Sequence, residues 1–227
     1  MHPDLVISAA FPRLIPAEIL DIPKYGAINC HPSLLPAGRG PNPIRLIYEG
    51  DDKVAVTVHR TAAEFDTGAI LAQRSRPLPD DLNGPALLKA WQEMLGECLD
   101  FAVPRAVAGE PGLWQNADEA SEAPFFTAEE LLVDLTEPAH AVRRKVAALN
   151  TLAPQAQAEI AGVGLRDVVA TYAVPAACSS VRGEVLDCQP ESWDRAAHEP
   201  GTVLEKHDDG WTVQTADRPL RLVCRNS

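Results

Sequence analysis

The stretch of sequence that decides the fold is AINCHPSLLPAGRGPNPIRLIYEG, residues 27–50, continued by TVHRTAAEFDTGAILAQ, residues 57–73. Its opening, AINCH, has the apolar lead-in of a short buried strand. Pro32 stops that strand because proline has no backbone N–H to donate. Asn29 and His31 therefore stand at a strand end, and in open parallel sheets ligands bind at the carboxyl ends of the strands. The sequence predicts a functional site at this strand end.

Three further motifs follow the strand end. SLLP continues directly at residues 33–36, the loop GRGP occupies residues 38–41, and EFDTG at residues 64–68 supplies a carboxylate, Asp66, on a turn that ends in glycine. A histidine at a strand end is by itself more often a hydrogen-bonding residue of the fold than a catalyst. The motifs together are therefore more specific than any one of them.

This combination resembles the formyltransferases that take a formyl group from N10-formyltetrahydrofolate. That family includes methionyl-tRNA, sugar-nucleotide, glycinamide ribonucleotide and siderophore types. The matching pieces are NxHPSLLP beginning at Asn29, Arg39-Gly40, and Asp66-Thr67-Gly68 with Gln73 behind it.

The resemblance implies an α/β fold in two domains. A partial Rossmann-like formyltransferase domain, the catalytic one, would cover residues 1–115, and a smaller C-terminal domain, one helix followed by a β-rich and barrel-like part, would cover residues 116–227. Composition changes near the boundary, because residues 116–124, NADEASEAP, are acidic, small and turn-prone. We interpret this segment as the linker.

Apolar runs and helical spacing predict the elements of the first domain. The strands are 5–9, 27–31, 54–59 and 69–73, the short helices are 14–20 and 43–48, and the long helix is 86–107. The long helix should lay one apolar face on the sheet, formed by Leu87, Leu88, Trp91, Leu95, Leu99 and Val103. Because strands alternate with helices, we expect parallel pairing in this half.

In the second domain the pattern predicts a helix over residues 138–149, followed by strands. The last two strands, residues 201–204 and 211–214, are joined through HDDG, and Asp-Gly between alternating runs is a hairpin signal. This order resembles the small C-terminal β-barrel domain of the tRNA-type and siderophore-type formyltransferases.

Composition indicates a globular protein. The chain has 227 residues and is 46% hydrophobic, which is enough for a sizeable core. No apolar run has the length of a membrane span and the chain does not begin like a signal peptide, so we expect neither membrane insertion nor secretion. The five cysteines are scattered without metal-ligand spacing, which predicts no metal site and a cytoplasmic location.

The charge balance bears on the partner. With 32 acidic and 20 basic residues the formal net charge is -12, which repels polyanions unless a local patch overrides it. The one tight basic cluster, Arg143-Arg144-Lys145, is typical of a solvated helix face. We expect the formyl acceptor to be a small-molecule amine, such as an amino acid or the hydroxyornithine of siderophore assembly. A nucleic-acid partner is disfavoured, and the sequence does not define the oligomeric state.

Asn29, His31 and Asp66 are the predicted catalytic residues. In attack of a neutral amine on the formyl carbon, donors fixed where negative charge develops are usually the largest catalytic contribution. Asn29 can donate from its amide, and His31 is a cationic donor if protonated. A carboxylate near His31 would raise the imidazole pKa and could relay the amine proton through water, the role given to Asp66. In a purely structural interpretation, all three would cap or satisfy local turns and strand ends.

The resemblance also implies where tetrahydrofolate lies. By position, the donor would contact Ala9, Ala10, Phe11, Leu14, Leu35, Ala62, Ala63 and Glu64. Arg39, at the mouth of the pocket, either binds an anionic group of the substrate or braces its own loop. We give His59 a structural part. Cys30 points away from Asn29 and His31 into the packing, so we do not expect a cysteine nucleophile.

The family begins with a strand-helix-strand-helix segment that has no counterpart here ahead of Leu5. Without it, the first strand would expose an edge and the site would lack one wall. Met1 would then be a mis-assigned start, an artificial boundary or a genuine truncation without activity. The predicted function is an N-formyltransferase with N10-formyltetrahydrofolate as donor. The alternatives are a non-catalytic truncated or partner-dependent folate-binding module, and a methionyl-tRNA formyltransferase.

Overall fold

The computed structural model describes residues 3–9, 11, 13–174 and 198–225. The chain divides into two compact units, Met1–Phe126 and Thr127–Ser227. The segment interpreted as a linker, residues 116–124, lies within the first unit, where its backbone is hydrogen-bonded to the loop around Arg39. Its acidic composition suggested a solvated connection, but it is held mainly by its backbone groups, together with the Ser121 hydroxyl, which accepts from the Gly38 N–H at 2.9 Å. Composition does not report such contacts.

The sheet of the first unit has four strands in the order β1-β2-β3-β4: Val6–Ala9, Ala27–His31, Lys53–Arg60 and Ile70–Pro77. Strands β1 and β2 are parallel, whereas β2–β3 and β3–β4 are antiparallel. The expectation of parallel pairing throughout is therefore wrong. A parallel crossover needs about a dozen residues or more, and the β3–β4 connection, residues 61–69, is shorter than that.

Three helices accompany this sheet: α1, Ala17–Leu20; α2, Arg45–Glu49; and α3, Gly84–Val107. The long helix begins as predicted, because the Asn83 side chain accepts a hydrogen bond from the Ala86 N–H at 2.9 Å. The buried face of the helix differs from the predicted one. Of the six residues predicted to form it, Leu87 is fully buried and the other five are half-buried. The fully buried positions are Gly84, Leu87, Met94, Cys98, Ala102 and Ala106. Small side chains let the helix approach the sheet closely, which a count of large apolar residues misses.

Strand β3 lies between β2 and β4, and it is buried on both faces from Val54 to His59. Its valines pack in the core as predicted. The opposite face carries Thr57 and His59, which are 0% and 1% exposed. Buried polar side chains need hydrogen-bond partners, so these two residues must be bonded to neighbouring segments.

Among its described residues, 127–174 and 198–225, the second unit contains α4, Ala139–Leu149, and five antiparallel strands. The strands are β5, Gln157–Ile160; β6, Gly164–Ala173; β7, Val203–His207; β8, Gly210–Gln214; and β9, Pro219–Cys224, in the order β5-β6-β9-β8-β7. The predicted hairpin is present between β7 and β8. A bond from the Ala161 N–H to the Gly201 carbonyl, at 3.3 Å, links the end of β5 to the chain before β7, as in a nearly closed barrel.

Within the described ranges, no helix combines the length and the apolar character needed to cross a bilayer.

Gly68→Ala should lower the free energy of unfolding by about 1–3 kcal/mol, because an added Cβ would overlap the backbone carbonyl of Arg60 and force the chain to move. Gly96→Ala is the matched control: Gly96 is an exposed residue of α3 with no atom within 4 Å of an added Cβ. That change should raise stability by roughly 0.5–1 kcal/mol. Urea unfolding of both variants measures the difference, and a Gly68→Ala variant as stable as wild type would contradict the close approach.

Candidate active site

The end of β2 carries the first two predicted catalytic residues. Asn29 is half-buried and His31 is buried. In the antiparallel register of β2 and β3, Asn29 lies directly opposite His59. Two residues that are thirty positions apart in the chain are therefore neighbours in the sheet.

Asp66 reaches the same place from the turn between β3 and β4. It adopts the left-handed conformation, with φ of 57°, which is uncommon for a residue other than glycine and indicates that its surroundings hold it there. The turn continues to Gly68, which packs against the backbone of Arg60. Asp66 as a whole residue is 8% exposed.

Four groups surround the buried carboxylate. The Asn29 amide donates to Oδ1 at 3.2 Å, and the backbone N–H of Gly40 donates to Oδ2 at 3.0 Å. The His31 ring lies 3.5 Å from Oδ2 through Nδ1, and the His59 ring lies 3.4 Å from Oδ1 through Nε2. The structure thus brings together Asn29, His31 and Asp66, the three residues predicted from sequence.

The pKa of the Asp66 carboxyl is lower than its ordinary value. Burial alone would raise that pKa, but the hydrogen bond from His59, the neighbouring His31 and the Gly40 N–H outweigh it. Asp66 is therefore ionised at neutral pH, and it accepts hydrogen bonds at both oxygens.

The pKa of His31 is lowered, chiefly by burial, although Asp66 and the Gly38 carbonyl act in the opposite direction. The carboxylate acts in the expected direction and raises this pKa, but desolvation of the imidazolium is the larger contribution, so the net shift is downward. Both ring nitrogens nevertheless face acceptors: Nε2 is 2.7 Å from the Gly38 carbonyl and Nδ1 faces Asp66. A proton taken up by His31 would therefore find both partners already in place.

His59, which the sequence analysis treated as structural, belongs to this cluster. Its Nδ1 lies 2.8 Å from the Arg60 carbonyl and therefore carries a proton. Its Nε2 faces Asp66 and is an acceptor when the ring is neutral, and it donates to Asp66 only when the ring is protonated. The Asn29 amide lies 3.3 Å from that Nε2. The alternation of β3 in the sequence predicts that Thr57 and His59 lie on one face of the strand. It does not predict that His59 pairs with Asn29, because that pairing depends on how β2 and β3 come together in the fold.

Gln115 is the second residue that sequence reasoning missed. Its side-chain N–H groups donate to the carbonyls of Asp66 and Gly68, at 2.7 and 2.8 Å. Its oxygen accepts from the Arg39 guanidinium at 3.1 and 2.7 Å. Of the two roles considered for Arg39, bracing is thus the one for which the structure shows contacts.

The loop that begins with SLLP is fixed from β3 and β4. Thr57 donates to the Ser33 carbonyl at 2.7 Å and accepts from the Leu35 N–H at 3.1 Å. Gln73 donates to the Leu35 carbonyl at 2.7 Å. This explains why a glutamine of β4 accompanies the motif.

The residues predicted to contact tetrahydrofolate differ in exposure. Phe11 and Leu14 are 55% and 46% exposed. Ala9, Ala63 and Glu64 are exposed and Ala62 is half-buried, whereas Leu35 is buried in the core. Ala10 lies outside the described residues. The exposed members provide apolar surface, but Leu35 has no free face to offer a ligand.

Cys30 is buried beside this site, and burial raises the pKa of its thiol to about 12. A thiol with such a pKa is not a thiolate nucleophile at neutral pH. In the part of the chain that the structure describes, no group of His, Cys, Asp and Glu side chains is arranged to hold a metal ion.

Curated relatives of this chain are methionyl-tRNA formyltransferases. The chain is 34% identical to that of Bacillus licheniformis over 98% of its own length and 65% of the relative. It is 31% identical to that of Roseiflexus sp. over 98% and 63%, and 32% identical to that of Syntrophomonas wolfei over 82% and 59%. The chain thus spans less than two thirds of the length of these relatives.

Solved structures share the fold. HypX from Aquifex aeolicus in complex with tetrahydrofolic acid matches 97% of this chain and 35% of its own, with a TM-score of 0.69 and 22% identity. WlaRD, a sugar 3N-formyl transferase solved in the presence of dTDP and 5-N-formyl-THF, matches 97% of this chain and 72% of its own, with a TM-score of 0.62 and 16% identity.

Two family models match separate parts of the chain. The formyl transferase model matches residues 1–93, which include the whole cluster around Asp66, and the model of the formyl transferase C-terminal domain matches residues 126–224. With both parts in order along one sequence, and with the mixed α/β sheet followed by a second sheet, the chain belongs to the formyltransferase family.

Proposed function

We propose that the chain is an N-formyltransferase that moves a formyl group from N10-formyltetrahydrofolate to the amine of a small molecule. The observation that carries this proposal is the buried Asp66 carboxylate, which lies within 3.0–3.5 Å of an amide, two imidazoles and a backbone N–H. Such a set combines donors for developing negative charge with groups that take up a proton. Formyl transfer to an amine requires both.

Asn29 is the group that reaches the substrate, because it is half-buried whereas His31, His59 and Asp66 are buried. Its contacts at 3.2 and 3.3 Å are long for N–H hydrogen bonds, so one N–H can turn toward a formyl oxygen at small cost. When bound, N10-formyltetrahydrofolate supplies the formyl carbon. Asn29 then stabilises the negative charge that the formyl oxygen gains on attack.

The second task is to remove a proton from the attacking amine. His31, with its pKa lowered by burial, is neutral in the free protein and can accept that proton. The resulting imidazolium donates to Asp66 and to the Gly38 carbonyl, which already face the ring. Asp66 and His31 therefore act as a pair, with the carboxylate favouring the protonated ring. When the bond between the formyl carbon and N10 breaks, His31 would return this proton to N10, so that tetrahydrofolate leaves as a neutral amine and the ring is neutral again.

The exposed apolar surface of Phe11 and Leu14 fits a flat folate ring beside this cluster. Strand β1 runs parallel to β2 with Ala9 opposite Cys30, so the chain leaves β1 at the same edge of the sheet as Asn29 and His31. HypX was solved in complex with tetrahydrofolic acid and WlaRD in the presence of 5-N-formyl-THF, and this supports a folate donor here. In this proposal Leu35 does not contact the donor, because it is buried, and it contributes only to the packing of the core.

The charge of the chain bears on the acceptor. The net charge of -12 favours a small amine over a polyanion. Methionyl-tRNA is the second candidate, because the named relatives act on it. Arg143 and Arg144 on α4 also favour it, since no ion pair with a described residue neutralises either one.

Asn29→Ala, His31→Ala and Asp66→Ala should each lower kcat by about two orders of magnitude with a modest change in the donor KM, because the lost contacts act mainly in the transition state. The measurement is formyl transfer from N10-formyltetrahydrofolate to a panel of amines that includes amino acids and hydroxyornithine. Wild-type turnover in any of the three variants would remove that residue from the mechanism, and a wild-type chain that binds the donor without turnover would favour a folate-binding module.

The pKa of His31 should lie below 6.5 and should fall further in Asp66→Asn, because burial lowers it and the carboxylate is the group that raises it. The free energy of unfolding should depend on pH for the same reason. Below pH 6.5 His31 takes up a proton more readily in the unfolded chain than in the folded one, so the free energy of unfolding falls as the pH decreases through that range. Titration of the histidine ring resonances by NMR measures the pKa. A value above 6.5 would contradict the lowered pKa, and only a value above about 7 would make His31 mainly a cationic donor at neutral pH.

If the acceptor is a small amine, tRNA should neither bind the chain measurably at physiological salt nor compete with the donor, because a net charge of -12 repels the phosphate backbone. Fluorescence anisotropy with labelled initiator tRNA, across a range of salt concentrations, tests this. Tight binding with a steep salt dependence, lost in the double variant Arg143→Ala/Arg144→Ala, would establish the methionyl-tRNA alternative.

A further inference from the structure

We infer that Gln115 is a positioning residue that sets the catalytic carboxylate by joining the Asp66 turn to the Arg39 loop. The inference rests on the proposed role of Asp66, and it concerns a residue that contacts no reacting atom. It is drawn from four hydrogen bonds made by one side chain.

Both the nitrogen and the oxygen of the Gln115 side-chain amide form hydrogen bonds. Its two N–H groups donate to the carbonyls of Asp66 and Gly68, and its oxygen accepts from Nε and Nη2 of Arg39. All four distances lie between 2.7 and 3.1 Å. A side chain of this length must both donate twice and accept twice, which glutamate, lysine and methionine cannot do.

The backbone around Gln115 is itself held against β4. Leu113 and Ile70 exchange N–H···O bonds of 2.8 Å in each direction. Gly112 precedes this pair with φ of +80°, and a Cβ there would lie 2.7 Å from the Ile70 carbonyl oxygen. The chain after α3 is therefore fixed beside β4, the strand that follows the Asp66 turn. This holds the backbone of Gln115 close to its hydrogen-bond partners and lowers the entropy cost of forming those bonds.

The consequence for Asp66 follows from its conformation. A residue other than glycine in the left-handed region costs about 1–2 kcal/mol, so the turn stays there only if other contacts hold it. Gln115 binds the main chain of Asp66, while the Gly40 N–H binds its carboxylate. Since Arg39 and Gly40 are adjacent, two links connect the Asp66 turn to the Arg39 loop. One runs from the Asp66 carbonyl through Gln115 to Arg39, and the other is the hydrogen bond from the Gly40 N–H to the Asp66 carboxylate.

Three substitutions separate the contributions. Gln115→Ala removes the side chain, Gln115→Met keeps its length and packing without hydrogen bonds, and Gln115→Glu keeps an acceptor for Arg39 but loses both donors to the turn. Asn116→Ala is the matched control, because that neighbouring amide bonds only within its own turn, to Glu119 and Asp118.

The test measures the Asp66 carboxyl pKa and the hydrogen exchange of the Gly40 amide by NMR on the full chain, together with kcat and the donor KM. In all three Gln115 variants the Asp66 pKa should rise toward 3.8, because its stabilising donors are no longer held in place. Exchange at Gly40 should accelerate, and kcat should fall by about tenfold to a hundredfold with little change in KM. Asn116→Ala should match wild type in every measurement.

Wild-type values in Gln115→Met would show that packing suffices and would overturn the inference, as would an unchanged Asp66 pKa in Gln115→Ala. A uniform acceleration of exchange across the unit in all three variants would also overturn it, because that result indicates a general loss of stability. The NMR measurements do not depend on turnover, so they decide the role of Gln115 even if the proposed formyl transfer proves wrong.

Discussion

The site depends on the burial of one carboxylate. Leaving an ionised aspartate 8% exposed is unfavourable unless its oxygens are bound, and here the Gly40 N–H and the Asn29 amide bind them. These partners come from the end of β2 and from the glycine loop, while Asp66 comes from the β3–β4 turn. The carboxylate therefore ties together three segments that the sequence separates by up to thirty-seven positions.

A second set of contacts keeps those segments in place from outside. The chain after α3 pairs with Ile70, presents Gln115 to the Asp66 turn, and then exchanges backbone bonds with the loop at Arg39 through Ser121 and Ala123. Composition had marked much of this segment as a linker. Its physical role is to hold the glycine loop, which it does mainly with backbone groups, together with the Ser121 hydroxyl that accepts from the Gly38 N–H.

The electrostatics of the cluster explain why its members act together. Burial lowers the pKa of His31 and would raise that of Asp66, yet their proximity favours the charged form of each. The ring of His31 already faces two acceptors, and His59 accepts from Asn29 while it donates to the Arg60 carbonyl. A proton that enters this network finds partners without rearrangement, which is the form of preorganisation that proton transfer to a buried group requires.

The sequence by itself determined the strand end at Asn29 and His31, the turn at Asp66, the start of α3 and the β7–β8 hairpin, because proline, glycine, caps and alternation act over a few residues. It also determined the family, since the motifs NxHPSLLP, RG and DTG occur together. Only the tertiary structure decided the antiparallel directions of β3 and β4, the buried face of α3, and the places of His59 and Gln115. Those features arise from pairing and packing between distant segments, whose partners local spacing does not identify.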